Sequence, residues 1–311
     1  MPEAAASIRL RAALKQAAER TLAGSGVGRL ALALRRSGVL VLAWHDVVPA
    51  GQVPRGERSL HLAQEAFGRQ LDALRRTHRV VPLDEALALP PPGDARPRAV
   101  VTFDDAYRGA ITAGVAELAR RALPATIFVA PALLGTVPWW DALSGDAGLD
   151  PAVRAHALGV LGGRPDAVMA WARERGLPVA AGPGVPHIAT EEELARAAAQ
   201  PGIALAAHGW SHASLPALAA DELERELARP LAWLSARFAA VAPWLAYPYG
   251  HASPAVRAAV ERAGYRGALR VEGGWLAPGD AALRRFSLPR FNVPAGLSDD
   301  GFRLRISGVR G

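Results

Sequence analysis

The sequence predicts a single α/β barrel built on a parallel β-sheet, and three observations lead to this fold class. Continuous apolar runs, the pattern of strands buried on both faces, alternate with amphipathic helical segments. The length of 311 residues is normal for one such barrel. Polar residues collect directly after the apolar runs, as expected where strand ends converge on one functional face.

The predicted strands are the apolar runs themselves, bounded by Gly, Pro or polar residues. The βαβ rhythm of a parallel sheet is clearest from Ala99 to Val129, where two apolar runs flank a helical segment. In chain order the predicted strands span residues 39–44, 79–82, 99–103, 125–129, 203–207, 242–246 and 265–270, with a last extended segment over 286–293.

The predicted helices follow most of these strands and carry apolar residues at helical spacing. Phe67, Leu71 and Leu74, for example, recur at i, i+4 and i+7. Pro254 suits the first turn of a helix, whereas Pro230 should bend the helix that contains it. The predicted helices span residues 66–77, 107–122, 221–238 and 254–263.

The chain is expected to divide into an N-terminal helical segment, residues 1–37, the barrel, 38–300, and a C-terminal tail, 301–311. The strand and helix rhythm is lost from about 131 to 200, and we interpret this stretch as a helical insertion in one βα connection. The last helix of the insertion begins at Thr190 in the pattern of a capping box.

The composition narrows the classes of function. The absence of cysteine excludes disulfides, thiolate metal ligands and a cysteine nucleophile, so any metal must be held by His, Asp or Glu. The formal net charge of +7 comes almost entirely from arginine, because Lys15 is the only lysine. No basic run is interleaved with aromatic residues, so we expect no nucleic-acid partner.

The N-terminal segment determines the expected location of the protein. It lacks the positive n-region of a secretory signal, and no apolar run in the chain is long enough to span a bilayer. We therefore expect a cytoplasmic protein. Because residues 8–34 are basic and partly amphipathic, peripheral contact with a membrane surface is the alternative to a solvated helix packed on the barrel.

The polar residues at the predicted strand ends form the candidate site. His208 and His212 alone are ambiguous, since two loop histidines commonly have no metal. Together with Asp105 they supply a three-ligand set that leaves a position open on a catalytic Zn²⁺ or similar ion. Asp104 would then be free to act as a base, and a helix cap is the alternative role for either carboxylate. The collected residues are His45, Asp104, Asp105, His208, His212, Tyr247 and Tyr249.

Three motifs give the sequence a resemblance to a known family. Thr-Phe-Asp-Asp at 102–105, His-Gly-Trp-Ser-His at 208–212 and Tyr-Pro-Tyr-Gly at 247–250 resemble, in order, the first three motifs of the polysaccharide deacetylases, the NodB-homology or carbohydrate esterase family 4 enzymes. The resemblance covers residues 39–293 outside the insertion. It implies a distorted (β/α)7 barrel that removes acetyl groups from N-acetylated or O-acetylated sugars with a divalent metal.

The resemblance also implies roles for the motif residues. It makes Asp104 the general base and Asp105, His208 and His212 the metal ligands, with Tyr249 offering its backbone N–H to the oxyanion. The expected metal is Zn²⁺, with Co²⁺, Ni²⁺ or Mn²⁺ as alternatives. The expected partner is an acetylated glycan or an activated sugar that is linked to a lipid or a nucleotide.

The proton donor is expected to be His45. Family members often use a late His for this role, but no His follows His251 here. Residues 43–46 instead resemble the early acid His of exopolysaccharide and biofilm deacetylases, with Asp46 placed to orient the ring. The alternative is a polar strand end without a catalytic role.

The sequence departs from the family pattern at three positions. Gly209 replaces the usual Ser or Thr of the second motif, Ala106 stands where Gly is common, and Ala246 replaces an Arg that braces the catalytic Asp. Leu-Pro-Arg at 288–290 matches a late motif of the subgroup, so we expect Arg290 to be the brace, with a plain surface Arg as the alternative.

Aromatic residues are expected to line the sugar pocket, with core packing as their alternative role. The expected substrate-binding residues are Trp139, Trp140, Tyr247 and Trp275.

Three functions remain as alternatives. They are a metal-dependent sugar deacetylase, a catalytically silent glycan-binding barrel, which Gly209 suggests, and another metal hydrolase such as a phosphodiesterase.

Overall fold

The computed structural model describes residues 2–88, 96–179, 187–277, 279–280 and 284–309, with the backbone alone for residues 2–12. The strands are β1 Val39–Trp44, β2 Asp46–Val48, β3 His61–Ala63, β4 Arg79–Val80, β5 Arg98–Phe103, β6 Ala125–Val129, β7 Ile203–Ala207, β8 Val241–Ala246, β9 Gly267–Leu269, β10 Trp275–Leu276 and β11 Phe291–Asn292. The helices are α1 Pro2–Gly24, α2 Val27–Leu34, α3 Gln64–Thr77, α4 Leu83–Ala86, α5 Val115–Ala119, α6 Trp139–Ala142, α7 Pro151–Gly159, α8 Pro165–Glu174, α9 Glu191–Ala198, α10 Ala220–Arg237, α11 Pro254–Arg262 and α12 Asp299–Ser307.

A curled sheet of nine strands forms the centre of the fold. Its strands run in the order β10-β1-β5-β6-β7-β8-β9, and β1 to β9 along this path pair in parallel. β4 adds to β5, whereas β11 and the antiparallel β10 add to β1. This half-barrel with surrounding helices confirms the predicted α/β fold class and fits a distorted (β/α)7 barrel.

Alternate residues of the central strands enter two different cores. In β1, Leu40, Leu42 and Trp44 pack under the outer helices, whereas Val39 and Val41 face the smaller core enclosed by the curl of the sheet. All six residues of β1 are buried, as are all six of β5. A strand covered on both faces needs no polar residue, which is why these strands appear as continuous apolar runs.

Several elements differ from the sequence-based expectation. The expected helix 107–122 is a π-helical turn over Ala110–Gly114 followed by α5. β2 and β3 form a separate parallel pair that was not predicted. By contrast, α10 agrees with the helix expected over 221–238 to within one residue at each end, and it continues through Pro230 because one proline removes a single hydrogen bond without ending a helix.

The insertion and the two chain ends surround this barrel. α6 to α9 lie between β6 and β7, as expected for a helical insertion. Residues 301–307 of the expected tail belong to α12, where Phe302 is fully buried and packs near the Trp44 ring at a centroid distance of 6.2 Å. Within the part of the chain that the structure describes, no helix is long and apolar enough to cross a membrane.

Candidate active site

A cavity of about 110 Å³ opens at the carboxyl ends of the parallel strands. The strand ladders continue one residue past β5, β7 and β8, which fixes the polar residues there: Asp104 N donates to Trp44 O at 3.0 Å, His208 N to Val129 O at 2.8 Å and Tyr247 N to Leu269 O at 3.0 Å. The cavity is lined by His45, Leu60, Asp104, Asp105, Trp139, Trp140, Arg154, His208, His212, Tyr247, Tyr249, Val271 and Asn292.

The backbone around this cavity is strained. Asp105, Ala106, His212 and Tyr249 have φ angles of 66°, 55°, 63° and 57°, and Ala122 is the one other non-glycine residue in the described ranges with a positive φ. Such left-handed residues cost about 1–2 kcal/mol each and persist where the surroundings enforce them. The left-handed φ at Ala106 gives a physical reason why glycine would suit this position.

Asp105, His208 and His212 converge in the cavity, and all three are buried. One potential ligand atom from each lies within 4.8 Å of the others. Asp105 Oδ1 lies 3.5 Å from His208 Nε2 and 3.2 Å from His212 Nε2, but this buried oxygen has no hydrogen-bond partner. A buried carboxylate oxygen without a donor calls for a further partner, and a cation is one that would satisfy it.

The protonation states of this triad suit a divalent metal. Burial, reinforced by the Asp104 and Asp141 carboxylates, raises the pKa of Asp105 well above its usual value. Burial lowers the pKa of His208, and burial together with His208 lowers the pKa of His212. Neutral imidazoles bind metals, and a bound cation would keep Asp105 ionised. The residues present therefore fit a metal, and two nitrogens with one carboxylate suit Zn²⁺ or a similar ion.

The orientation of His208 is set outside the triad. Its Nδ1 lies 2.8 Å from the carbonyl oxygen of Ala246, to which only a protonated Nδ1 can donate. The ring therefore presents the lone pair of Nε2 to Asp105.

Asp104 has a different partner from its neighbour. Arg290 donates to both carboxylate oxygens of Asp104, at 2.6 and 2.7 Å, and both side chains are buried. Burial alone would raise the pKa of Asp104, but the Arg290 guanidinium outweighs it and holds that pKa well below its usual range. Arg290 also donates to Thr102 Oγ1 and to Arg270 O, so the arginine itself is fixed.

His45 and the aromatic residues form the remaining walls. Removal from bulk water lowers the pKa of His45 to about 4, despite the nearby Asp104 carboxylate. The rings of Trp140 and Tyr249 lie against His212, with centroid distances of 4.8 and 4.6 Å. Trp139 Nε1 donates to the Tyr249 hydroxyl at 3.2 Å, so α6 of the insertion closes this side.

Two expected site contacts are absent from the described structure. Trp275 does not line the cavity, because β10 pairs with the amino half of β1, where Leu40 is its partner and the ring lies near Arg35 and His78. Asp46 does not bond His45 but accepts from His61 Nδ1 at 2.9 Å.

A buried polar network that the sequence does not predict lies behind the cavity. Its centre is Asp141, whose Oδ1 lies 3.2 Å from His61 Nε2 and whose Oδ2 accepts from His187 and Tyr107 at 2.9 and 3.0 Å. Tyr107 in turn accepts from Trp140 Nε1 at 2.7 Å. The one local signal was a carboxylate directly after two tryptophans in an otherwise apolar stretch.

Opposite charges inside this network stabilise it. Burial alone would lower the pKa of His61, but its hydrogen bonds to Asp141 and Asp46 raise that pKa to about 9. Burial would likewise raise the pKa of Asp141, and its hydrogen bonds with His187 and His61 lower it to about 2. His61 is therefore an imidazolium between two carboxylates at neutral pH.

A family model described as polysaccharide deacetylase matches residues 93–268. The chain belongs to the polysaccharide deacetylase family. This match confirms the predicted family and the prediction of a deacetylase-type hydrolase, and it implies an acetylated glycan as the class of substrate. A search of the curated proteins gave no match.

Solved structures of deacetylases share the fold. The Streptococcus pyogenes deacetylase PplD in complex with acetate is 16% identical, with 85% of this chain and 96% of that chain covered and a TM-score of 0.56. IcaB from Ammonifex degensii is 17% identical, with 88% and 96% covered and a TM-score of 0.57. The BpsB deacetylase domain from Bordetella bronchiseptica is 16% identical, with 83% and 96% covered and a TM-score of 0.50. The expected subgroup is consistent with the last two matches.

Proposed function

We propose that this polysaccharide deacetylase homologue is a metal-dependent enzyme that hydrolyses the acetyl group of an N-acetylated or O-acetylated sugar. The observation that carries the proposal is the opposite environment of two adjacent carboxylates. Asp104 is paired with Arg290, which lowers its pKa, whereas Asp105 faces two neutral histidines and has a raised pKa. Such a difference between the pKa values of neighbouring acids assigns them different roles.

Asp105, His208 and His212 are the residues that would hold the metal, for which Zn²⁺ is the first candidate and Co²⁺, Ni²⁺ and Mn²⁺ are alternatives. A divalent cation held there would supply a Lewis acid able to polarise the acetyl carbonyl and to lower the pKa of a water molecule. Asp105 contributes the negative charge of the site, and the two histidines contribute neutral donors.

Asp104 is assigned the role of general base. Its low pKa keeps the carboxylate ionised, so that it can accept a proton from the attacking water. Arg290 holds both oxygens and leaves the carboxylate one orientation. The backbone N–H of Tyr249, in the turn after β8, is assigned to the developing oxyanion.

His45 is assigned the transfer of a proton to the departing amine or alkoxide. With a pKa of about 4, its ring is neutral at pH 7 and must gain a proton during the reaction. His45 and Asp104 line the same cavity, so the proton that Asp104 takes from the attacking water is available to His45. The leaving group then takes that proton from the imidazolium.

The walls of the cavity select the substrate. Trp139, Trp140 and Tyr247 line it, and flat aromatic faces suit the apolar faces of a pyranose ring or an acetyl methyl group. Trp139 and Trp140 lie on α6, so the insertion between β6 and β7 takes part in substrate recognition. The substrate is an acetylated glycan or an activated acetylated sugar.

The proposed function is tested by acetate release from acetylated chito-oligosaccharides and from an acetylated sugar ester. We expect release by the protein loaded with Zn²⁺ or Co²⁺, loss of release after chelation, and recovery on metal addition. Tight metal binding without acetate from any glycan would instead identify a silent glycan-binding barrel.

Replacement of His45 by Ala should reduce turnover of amides more than turnover of activated esters, whose leaving groups need no proton.

We also propose that the N-terminal segment, residues 1–37, contacts an anionic membrane surface and that the barrel begins at residue 38. Leu30 and Leu34 of α2 are 66% and 79% exposed, and Leu14, Leu22 and Val27 add further exposed apolar area. The acidic Glu19 is buried and bonds Ser298, whereas Lys15, Arg20, Arg29 and Arg36 carry the exposed charge. Exposed apolar side chains together with exposed basic ones in one segment suit anionic lipid.

Co-sedimentation with vesicles tests this contact. The protein should bind vesicles of anionic phospholipid more strongly than zwitterionic ones, and replacing both Leu30 and Leu34 by Ser should weaken the binding. Val53→Ser, at an equally exposed apolar residue outside this segment, is the control. Equal binding by both variants would contradict the proposal.

A further inference from the structure

The loop between the two histidines is held by a side chain from outside the motif. Glu226 lies on α10 and accepts from three donors of this loop: Trp210 N at 2.7 Å, Ser211 N at 3.0 Å, with a longer contact of 3.3 Å to the second oxygen, and Ser211 Oγ at 2.7 Å. Both loop residues and the carboxylate are partly buried. One acidic side chain therefore accepts from both backbone N–H groups between Gly209 and His212 and from the Ser211 hydroxyl.

The backbone of the loop creates this need for an anion. Gly209 and His212 have φ angles of 72° and 63°, so left-handed residues flank Trp210 and Ser211 on both sides. The successive N–H groups of Trp210 and Ser211 then point the same way, and such a pair forms a concavity that binds an anion. A Cβ built on Gly209 would lie 3.2 Å from Glu226 Oε2, so glycine gives the carboxylate its close approach.

A second residue of α10 reinforces the same contact. Arg229 lies one turn after Glu226, and its guanidinium carbon lies 3.9 Å from the centre of the Trp210 ring. The two side chains hold the loop backbone and the loop indole from the same face of the helix. Glu226 and Arg229 thus connect α10, through the loop, to His208 and His212.

We propose that Glu226 is a positioning residue that presets the separation of His208 and His212 for metal binding. This inference rests on the proposed metal centre. Glu226 contacts neither the metal triad nor the cavity; it acts by restricting the loop whose end turns His212 toward Asp105. A loop fixed before the metal arrives loses less conformational freedom on binding, and so binds more tightly.

Metal affinity, measured without turnover, tests the proposal. Co²⁺ is titrated into the full chain in competition with a chromophoric chelator, and its visible spectrum is recorded at saturation. Glu226→Ala should weaken Co²⁺ binding by about 10- to 100-fold, the usual effect of removing a residue that orients a metal ligand, and should alter the spectrum. Glu226→Gln keeps one acceptor oxygen and should recover part of the affinity. Glu224→Ala, at an exposed position on the same helix, is the matched control and should bind as the unmodified chain does.

The outcomes separate this inference from the proposed function. Binding of Co²⁺ within about twofold by all variants, with one spectrum, would overturn the role of Glu226 and leave the metal centre intact. An unmodified chain that binds no Co²⁺ would overturn both. Thermal unfolding of the variants, measured after a chelator has removed the metal, checks that each is folded. If Glu226→Ala does not fold, Glu226→Gln and Ser211→Ala carry the test, and unchanged affinity in both would overturn the proposal.

Discussion

Single residues acquire their chemistry here from partners that are remote in sequence. Asp104 and Asp105 are chemically identical and adjacent, yet Arg290 reaches only the first, and the two histidines face the second. The two-carboxylate motif and the His pair could be recognised in the sequence, because they follow apolar strands. The different environments of the two carboxylates could not be predicted from the neighbouring sequence, since they depend on the Arg290 guanidinium, 186 residues away.

Replacing Arg290 with Met should leave Asp104 buried and without its counter-ion. Breaking a buried ion pair by removing one partner costs about 3–5 kcal/mol, and we expect urea denaturation to show a loss of this size. The pKa of Asp104 should also rise, so that the acidic limb of the pH–rate profile moves to higher pH. Arg262→Met, at an exposed position on α11, is the control. An unchanged acidic limb would contradict the role assigned to Arg290.

His61 should give the folded protein a characteristic loss of stability at alkaline pH. Its pKa rises on folding from 6.5 to about 9, so its contribution is complete below pH 6.5 and is lost as the pH rises through 9. This change corresponds to about 3 kcal/mol. No cysteine titrates in this window. Urea denaturation from pH 6 to pH 10 should show the slope in the unmodified chain and not in His61→Gln. The same slope in both would contradict the assignment.

At the level of elements, long buried strands could be predicted and short polar ones could not. β1, β6 and β7 match their expected bounds, because burial on both faces leaves a continuous apolar run. β2 and β3 have three residues each and include Asp46 and His61, so neither periodicity nor composition marks them. Helical residues after β5 begin at Arg108, within one residue of the expected start, and Asp105 and Ala106 just before them adopt left-handed conformations.

The short helix α6 depends on Asp141 for its place beside the cavity. Four residues make a weak helix, and Asp141 ties it to His61, Tyr107, His187 and the backbone N–H of Glu57. Asp141→Asn should lower the free energy of unfolding by about 3 kcal/mol and change the tryptophan emission of Trp139 and Trp140. Asp146→Asn, at an exposed carboxylate in the same insertion, should do neither. Equal stability of both variants would contradict this account of α6.

At the level of the whole molecule, the curl of the sheet decides which residues meet. It brings the ends of β1, β5, β7 and β8 to one cavity, so residues expected there from strand-end positions are found together. Trp275 was expected in the cavity but lies elsewhere, because the sequence does not show which half of β1 pairs with β10. The Asp141 network was not foreseen, because its partners meet only after the insertion folds back onto the β2–β3 pair.

The different roles of the two carboxylates are tested by comparing Asp104→Asn with Asp105→Asn, with bound metal and acetate release measured on the same samples. We expect Asp104→Asn to keep the metal content of the unmodified chain while acetate release falls by about 10²- to 10⁴-fold, the usual worth of a general base. Asp105→Asn should lose the metal and with it the activity. Full activity of Asp104→Asn, or undiminished metal binding by Asp105→Asn, would contradict the division of roles between the two carboxylates.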